Sequence, residues 1–419
     1  MRFRRSVSGH CGRGSTGWRR RPIRLSSRVQ AGKSDPRPCA GAGAATTLRA
    51  PGARLSRIAR RRSRQSSNDV LTKSEDRSLS FPFPAPPAVG ETIEVAPGIL
   101  WARIPLPFRL DHVNIYLIED GDGWAVLDAG INNDAAKAAW NALLTGPLKN
   151  RRLTRLIITH FHPDHIGLAG WLCERFSLPL LTSQTTYLGC LTISLQPGAL
   201  DAQVYRDFYL RNGMDDETTA RVATQGHGYL KMVAALPPTF ERLVAGDVVK
   251  IGGRSFSVMS GEGHAPEQIM LCCEEENLFF AADQVLEKIT PNVSVWAVDP
   301  DGDPLGLFVR SLNGLKMNMR PDALILPGHR LPFIGLAPRC DELIVHHEER
   351  CAMIADACSK APCSVWDLLP VVFPHVTDPH QLSFAFSEVF AHVNYMLRLG
   401  RLKWASPKGG IDRLTIDAA

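Results

Sequence analysis

The sequence predicts a layered α/β domain followed by a small helical module, and three patterns carry that expectation. Two stretches rich in β-branched and aromatic residues and punctuated by turn signals, residues 93–127 and 248–281, read as strands. Segments with helical spacing lie between and beyond them, at residues 134–144, 167–176 and 305–319. From residue 340 onward the pattern is helical until a short final strand. With 419 residues and 44% hydrophobic content, the chain is long enough for two domains and a large core.

Residues 1–80 are rich in Arg, Ser, Gly, Ala and Pro, without a sustained apolar period, and are expected to be a disordered basic tail. Met1–Asn68 carries 18 Lys+Arg against one acid, Asp35, a charge of +17, whereas the whole chain is +6. The rest is therefore −11 and acidic. The tail suits an organelle transit peptide or a nucleic-acid-binding arm. A start codon placed too far upstream would give the same composition, and that is the reading preferred here, because the tail lacks amphipathic periodicity. No run reaches the roughly 18 residues of a membrane span, and the ten cysteines show no CxxC pair or framework. Reduced thiols and a cytoplasmic location are expected, or an organelle if the tail is a targeting segment.

Folded sequence is expected from near Gly90. Residues 93–101 form two short strands about Pro97-Gly98, residues 113–118 another, and residues 124–127 a fourth after the turn Glu119–Gly123. A helix over 134–144 and the strand Leu156-Ile157-Ile158 follow. Residues 185–243 are helical and read as an insert whose Tyr205, Phe208, Tyr209 and Tyr229 cover a cleft. Strands resume at 248–251, 256–259, 269–273 and 278–281, then a helix over 305–319 and the strand 323–326. Helices over 340–358, 365–371 and 383–399, then the strand 401–404, have the outline of a winged-helix module. Residues 406–419 are read as a C-terminal tail.

Chemistry concentrates in Thr159-His160-Phe161-His162-Pro163-Asp164-His165, directly after the strand 156–158. Imidazole nitrogens and a carboxylate packed this densely at a strand end would crowd unless a cation sat among them, and they are donors that zinc and similar ions accept. Three further donors follow apolar strands: His264 in Gly263-His264-Ala265, Asp283 after Leu278–Ala282, and His329 in Pro327-Gly328-His329. Each alone would be an ordinary polar residue at a strand end.

Together, Leu127-Asp128-Ala129-Gly130, His160-x-His162-x-Asp164-His165, Gly263-His264, Ala282-Asp283 and Pro327-Gly328-His329 resemble the metallo-β-lactamase-fold hydrolases, in the glyoxalase II-like, LACTB2-like branch with a C-terminal winged-helix domain. The resemblance covers residues 90–405. It implies an αββα sandwich over 90–335, a winged-helix-like domain over 338–405, and two divalent metals, zinc by donor type with iron or manganese accommodated. His160, His162 and His264 would hold the first ion, and Asp164, His165 and His329 the second. Asp283 would bridge them, with Asp128 behind the ligands. The surroundings of His264 depart from the usual pattern, reading Gly261-Glu262-Gly263-His264-Ala265-Pro266.

Two ions sharing a water lower its pKa and present hydroxide to a carbonyl or phosphorus, with Asp164 orienting it or taking its proton. The expected activity is hydrolysis of a small acyl compound, a thioester, lactone or ester. A metal-dependent endoribonuclease is the alternative, disfavoured by the charge of −11, since phosphate binding relies on a basic surface. A di-iron redox protein is a further alternative, weakened by the absence of a flavin-domain signal. No membrane partner is expected.

Overall fold

The computed structural model describes residues 79–416 apart from 224–225, 377 and 406–408. Most of the expected basic tail lies outside the described residues, but its last two positions do not behave as tail. Ser80 N donates to Ile334 O at 3.1 Å, Ile334 N to Ser80 O at 2.9 Å, and the Phe83 ring meets Trp101 edge-on at 6.2 Å. Fixed structure thus begins before the expected Gly90, because Leu79 and Phe83 find apolar surface that no local period announces.

The first sheet runs β1 (Ile93–Ala96), β2 (Ile99–Pro105), β3 (His112–Asp120), β4 (Gly123–Leu127), β5 (Arg152–Ile157), β6 (Leu180–Thr182) and β7 (Glu241–Arg242), in that spatial order. β1 to β4 form the expected antiparallel meander, and β4 to β7 are parallel. A parallel step needs a crossover. Helix α1 (Asp134–Thr145) supplies the one from β4 to β5, capped by Asn133 Oδ1, which accepts from Ala136 N at 2.8 Å. Beyond β5 lie α2 (Pro163–Ile166) and α3 (Ala169–Phe176), then, among the described residues between β6 and β7, the α-helices α4 (Gln184–Leu195), α5 (Gln203–Arg211), α6 (Asp216–Ala223) and α7 (Gly226–Met232).

The second sheet is ordered β12-β11-β10-β9-β8, comprising β8 (Val248–Ile251), β9 (Arg254–Gly261), β10 (Gln268–Cys273), β11 (Leu278–Ala282) and β12 (Leu324–Pro327). Helix α8 (Pro304–Asn318) joins its last two strands, which pair in parallel. Three apolar clusters define four layers. Trp140 and Leu172 of α1 and α3 pack on the outer face of the first sheet, and Tyr116, Phe256 and Phe280 fill the space between sheets. Phe308 and Leu312 of α8 cover the outer face of the second. Full burial of a side chain such as Phe280 contributes roughly 1.5–3 kcal/mol, and Tyr116 adds an edge-to-face contact with it at 5.3 Å.

The chain ends in α9 (Leu336–Lys360), α10 (Val365–Val372), α11 (Pro379–Arg398), β13 (Leu402–Trp404) and β14 (Leu414–Ile416). These helices share one apolar cluster with α8 and with Phe208 and Tyr209 of α5. Residues 406–419, expected to be a tail, contain β14, which pairs antiparallel with β13 and bridges Cys363 through Leu414. Three residues are too short to show a period in the sequence. No helix among the described residues is long and apolar enough to cross a membrane, and their eight cysteines are free thiols.

Candidate metal centre

The strand ends of both sheets meet at one edge, and the predicted donors collect there. The β5–α2 loop supplies His160 and His162, α2 Asp164 and His165, the β9–β10 loop His264, the end of β11 Asp283, and the end of β12 His329. His160, His162 and His264 form one compact triad, Asp164, His165 and His329 a second, and Asp283 joins His160 and His165 in a third grouping. The Asp283 carboxylate lies 3.5 Å from His165 Nε2, 3.5 Å from His264 Nε2 and 3.2 Å from His329 Nε2, so it touches members of both triads. Asp164 Oδ2 is 3.2 Å from His329 Nε2 and 3.7 Å from His165 Nε2.

The hydrogen bonds behind these rings decide which nitrogen each presents. Asp128, buried at the end of β4, offers its carboxylate oxygens to the donors around it. Thr159 N reaches Oδ1 at 2.9 Å, Thr159 Oγ1 reaches Oδ2 at 2.9 Å, and His165 Nδ1 reaches Oδ2 at 2.8 Å. Having given its proton to Asp128, the Thr159 hydroxyl can only accept from His160 Nδ1, 2.9 Å away. His264 Nδ1 donates to Asn292 O at 2.8 Å, and His329 Nδ1 to His112 O at 2.8 Å. Four rings therefore turn Nε2 inward, and one carboxylate sets two of them, one in each triad. His162 presents Nδ1, 3.0 Å from His160 Nε2.

These donors fit a pair of divalent ions. Among the described residues, His165 Nε2, His264 Nε2 and Asp283 Oδ1 are buried without a hydrogen-bond partner, a costly arrangement that bound cations relieve. Electrostatics divides the site in two. Burial pushes His160 well below its ordinary value and His162 down to about 3, with neighbouring imidazoles adding to the effect, so this triad is neutral and ready to ligate. Burial alone would also lower His165 and His329. Asp283 and Asp164 outweigh it, raising His165 well above its usual range and His329 to about 10. Burial would likewise raise Asp164 and Asp283, but these histidines hold both carboxyls below the carboxylate range. In the metal-free protein, protons stand where cations would go.

The backbone is shaped to the cluster. Ala282, immediately before Asp283, is held at φ 46°, a left-handed conformation unfavourable for alanine. A Cβ on Gly328 would stand 2.2 Å from Asp283 Oδ1 and 2.9 Å from His165 Cε1, so only glycine lets β12 approach. Gly263 combines φ +98° with a Cβ position 2.4 Å from Phe308 Cβ, which accounts for glycine before His264. The unusual neighbours of His264 serve the loop: Glu262 O accepts from Gln284 Nε2 at 3.1 Å, Glu267 N donates to Glu262 Oε1 at 3.3 Å, and Ala265 is fully buried.

Supporting groups that the motifs do not announce are Thr159, the carbonyls of Asn292 and His112, and Asn114, whose Nδ2 holds the His329 loop through Pro327 O and Arg330 O, each at 2.9 Å. A carbonyl carries no residue signature, so only Thr159 and Asn114 could have been suspected from sequence. Phe208 and Tyr209 of the insert do not cover the cleft as expected. Phe208 packs on Phe386 and Phe390 of α11, Tyr209 is buried beside it, and Tyr229 Oη donates to Phe161 O at 2.7 Å. Tyr205 is half-buried on α5. Phe208, Tyr209 and Tyr229 join elements together. A second buried group, His347, Glu388 and His392, lies between α9 and α11, but there the Arg350 guanidinium already pairs with Glu388 and takes the cation's place.

The metallo-beta-lactamase superfamily model matches residues 108–329, more than half of the chain and the whole span from the β2–β3 turn to His329. The chain belongs to that superfamily. A metallo-beta-lactamase-like C-terminal domain model matches residues 351–415, which reaches into β14. A beta-lactamase domain protein from Burkholderia ambifaria is 35% identical, with TM-score 0.75, covering 81% of this chain and 98% of its own. A metallo-beta-lactamase family protein from Thermus thermophilus is 26% identical, with TM-score 0.66, covering 77% of this chain and 99% of its own. The probable metallo-hydrolase YqjP of Bacillus subtilis is 22% identical over 305 residues, 71% of this chain and 92% of that protein. The metallo-beta-lactamase fold thus accounts for the four layers and for donors gathered at one edge of two sheets.

Proposed function

We propose that this protein is a dinuclear metal-dependent hydrolase of a small acyl compound, a thioester, lactone or ester. The observation that carries the reading is the convergence of four inward Nε2 atoms, fixed by Nδ1 hydrogen bonds, upon two carboxylates. His160, His162 and His264 would hold one ion, Asp164, His165 and His329 the other, and Asp283 both; zinc suits these donors. When bound, such ions supply an ionised water at neutral pH and polarise the electrophile's oxygen. Asp164 is the more open carboxylate, 19% exposed against 7% for Asp283, so it faces the solvent side where it orients the nucleophile or accepts its proton. Asp128 and Thr159 keep the ring lone pairs aimed. The similar Bacillus subtilis protein is named a probable metallo-hydrolase, in keeping with this class.

A nucleic-acid substrate is not favoured. Near the final strand, Arg401 is already paired with Glu348 at 2.8 Å, and Arg398 reaches Asp301 O at 2.7 Å. Metal-loaded protein assayed on thioesters, lactones, esters and single-stranded RNA should hydrolyse an acyl class and leave RNA intact. Asp164→Asn should lower turnover by about 10²–10⁴-fold. RNA cleavage that falls steeply with salt, without acyl hydrolysis, would replace this reading with the nuclease.

A further inference from the structure

The chain holds an open cleft of about 680 Å³ beside the candidate metal centre, within the size range of small-molecule sites. One wall is the β2–β3 turn with Phe108 and Leu110, and the other is the α10–α11 region with Phe373, Phe384 and Ala385. Asn292 also lines it, and Asn292 O is the acceptor for His264 Nδ1. The β2–β3 turn runs directly into His112, whose carbonyl is the acceptor for His329 Nδ1. The cleft is thus bounded by the two backbone segments that hold the last histidine of each triad.

Its lining is mostly apolar. Phe108 is 41% exposed and Phe384 37%, and Trp296, 38% exposed, meets Phe384 edge-on at 5.7 Å. Large aromatic surface left open beside a reactive centre marks a ligand site more often than chance exposure does. Of the two acids in the cleft, Asp378 and Glu388, the latter is paired with Arg350, whose guanidinium also lies 4.5 Å from the Phe373 ring centroid. That pair offsets the charge of the floor, while Arg109 and Asp378, one of each sign, also line the cleft.

We propose that this cleft seats the aliphatic chain of the acyl substrate, and that Phe108 and Phe384 set chain-length preference. The proposal rests on the acyl-hydrolase reading and deepens it. The carbonyl lies at the metal centre while the chain runs between the β2–β3 turn and α11, so the C-terminal module supplies one wall of the substrate site. Each methylene buried there raises kcat/KM by roughly two- to four-fold.

The test compares acetyl, butyryl, octanoyl and dodecanoyl thioesters on metal-loaded full-length protein. Wild type should prefer octanoyl over acetyl by at least about ten-fold, and Phe108→Ser and Phe384→Ser should each collapse that ratio, mainly through KM. Gln381→Trp, on the α11 wall, should shift the preference to shorter chains. Binding of S-octyl and S-ethyl cysteamine thioethers, which cannot be hydrolysed, is measured in parallel by calorimetry. If no thioester is turned over but the octyl compound binds more tightly than the ethyl one, and Phe384→Ser removes the difference, the acyl-hydrolase reading fails and the cleft stands. Chain-length dependence that is absent, or unaltered in all three variants by both measurements, overturns the cleft.

Discussion

Replacing Asp128 by Asn changes no donor in the metal centre and almost no volume, yet it should disable both triads. In the wild type the carboxylate accepts from Thr159 Oγ1 and from His165 Nδ1, at 2.9 and 2.8 Å. An amide nitrogen in the Oδ2 position donates instead. Facing His165, it forces Nδ1 to accept and moves the ring proton to Nε2, the atom meant for the metal. Facing Thr159, it turns the hydroxyl proton toward His160 Nδ1, and His160 Nε2 is protonated in the same way. Such a change behind a ligand costs about 10–100-fold in metal affinity, or about 1.4–2.7 kcal/mol. With one ring affected in each triad, both binding steps should weaken. Thr159 N keeps an acceptor in Asn Oδ1, so the metal-free variant should melt close to wild type. Asp128→Ala strips every acceptor and should be destabilised by several kcal/mol, at about 1–3 kcal/mol per orphaned buried donor. Competition with a chromophoric chelator reads the affinity and calorimetry the stability. Unchanged metal affinity in Asp128→Asn, at wild-type stability, would refute the tautomer argument.

Metal uptake should expel protons, about two near pH 7.5, because His165 and His329 carry raised pKa values and must lose charge to ligate; calorimetry in buffers of different ionisation enthalpy measures this, and metal affinity should rise with pH. The contribution of His329 to metal-free stability is full below its ordinary 6.5 and lost as pH climbs through about 10, whereas that of Asp164 and Asp283 is present above 3.8 and lost as pH falls. Melting metal-free protein across that range should show both losses. Gly328→Ala drives a methyl into Asp283 and His165 and should reduce metal affinity more than ten-fold with little effect on the sheets, as chelator competition would show. Protein beginning at Leu71 should retain its metals and turnover. Protein beginning at Ala85 loses the Ser80–Ile334 pairing and the Phe83–Trp101 contact and should melt several degrees lower.

What could be read from the sequence follows from how local each signal is. The β2–β4 meander and the strands from β8 to β12 appear within a few residues of their expected places, because each is a continuous apolar run bounded by Gly, Asp or Pro. The donors were visible because chemistry restricts them to His and Asp at strand ends. Whatever depends on distant pairing was not visible. Ser80 pairs with Ile334 across most of the chain, and β14 forms only against β13. Phe208 and Tyr209 of the insert look the same in sequence whether they cover a cleft or join two layers, and it is their partners on α11 that decide. For the same reason the open cleft beside Asn292 left no trace: its walls come from segments far apart in the chain.

Metal stoichiometry is the most direct test of the central claim that Asp283 joins two cation sites into one centre. Two cations held by adjoining triads would repel each other without an anion between them, and Asp283 is the carboxylate that touches members of both triads. Elemental analysis of purified full-length protein should find about two divalent ions per chain, and Asp283→Ala, with its fold verified by circular dichroism, about one or fewer. Two ions retained in Asp283→Ala, or no more than one in the wild type after reconstitution with excess zinc, would contradict the account.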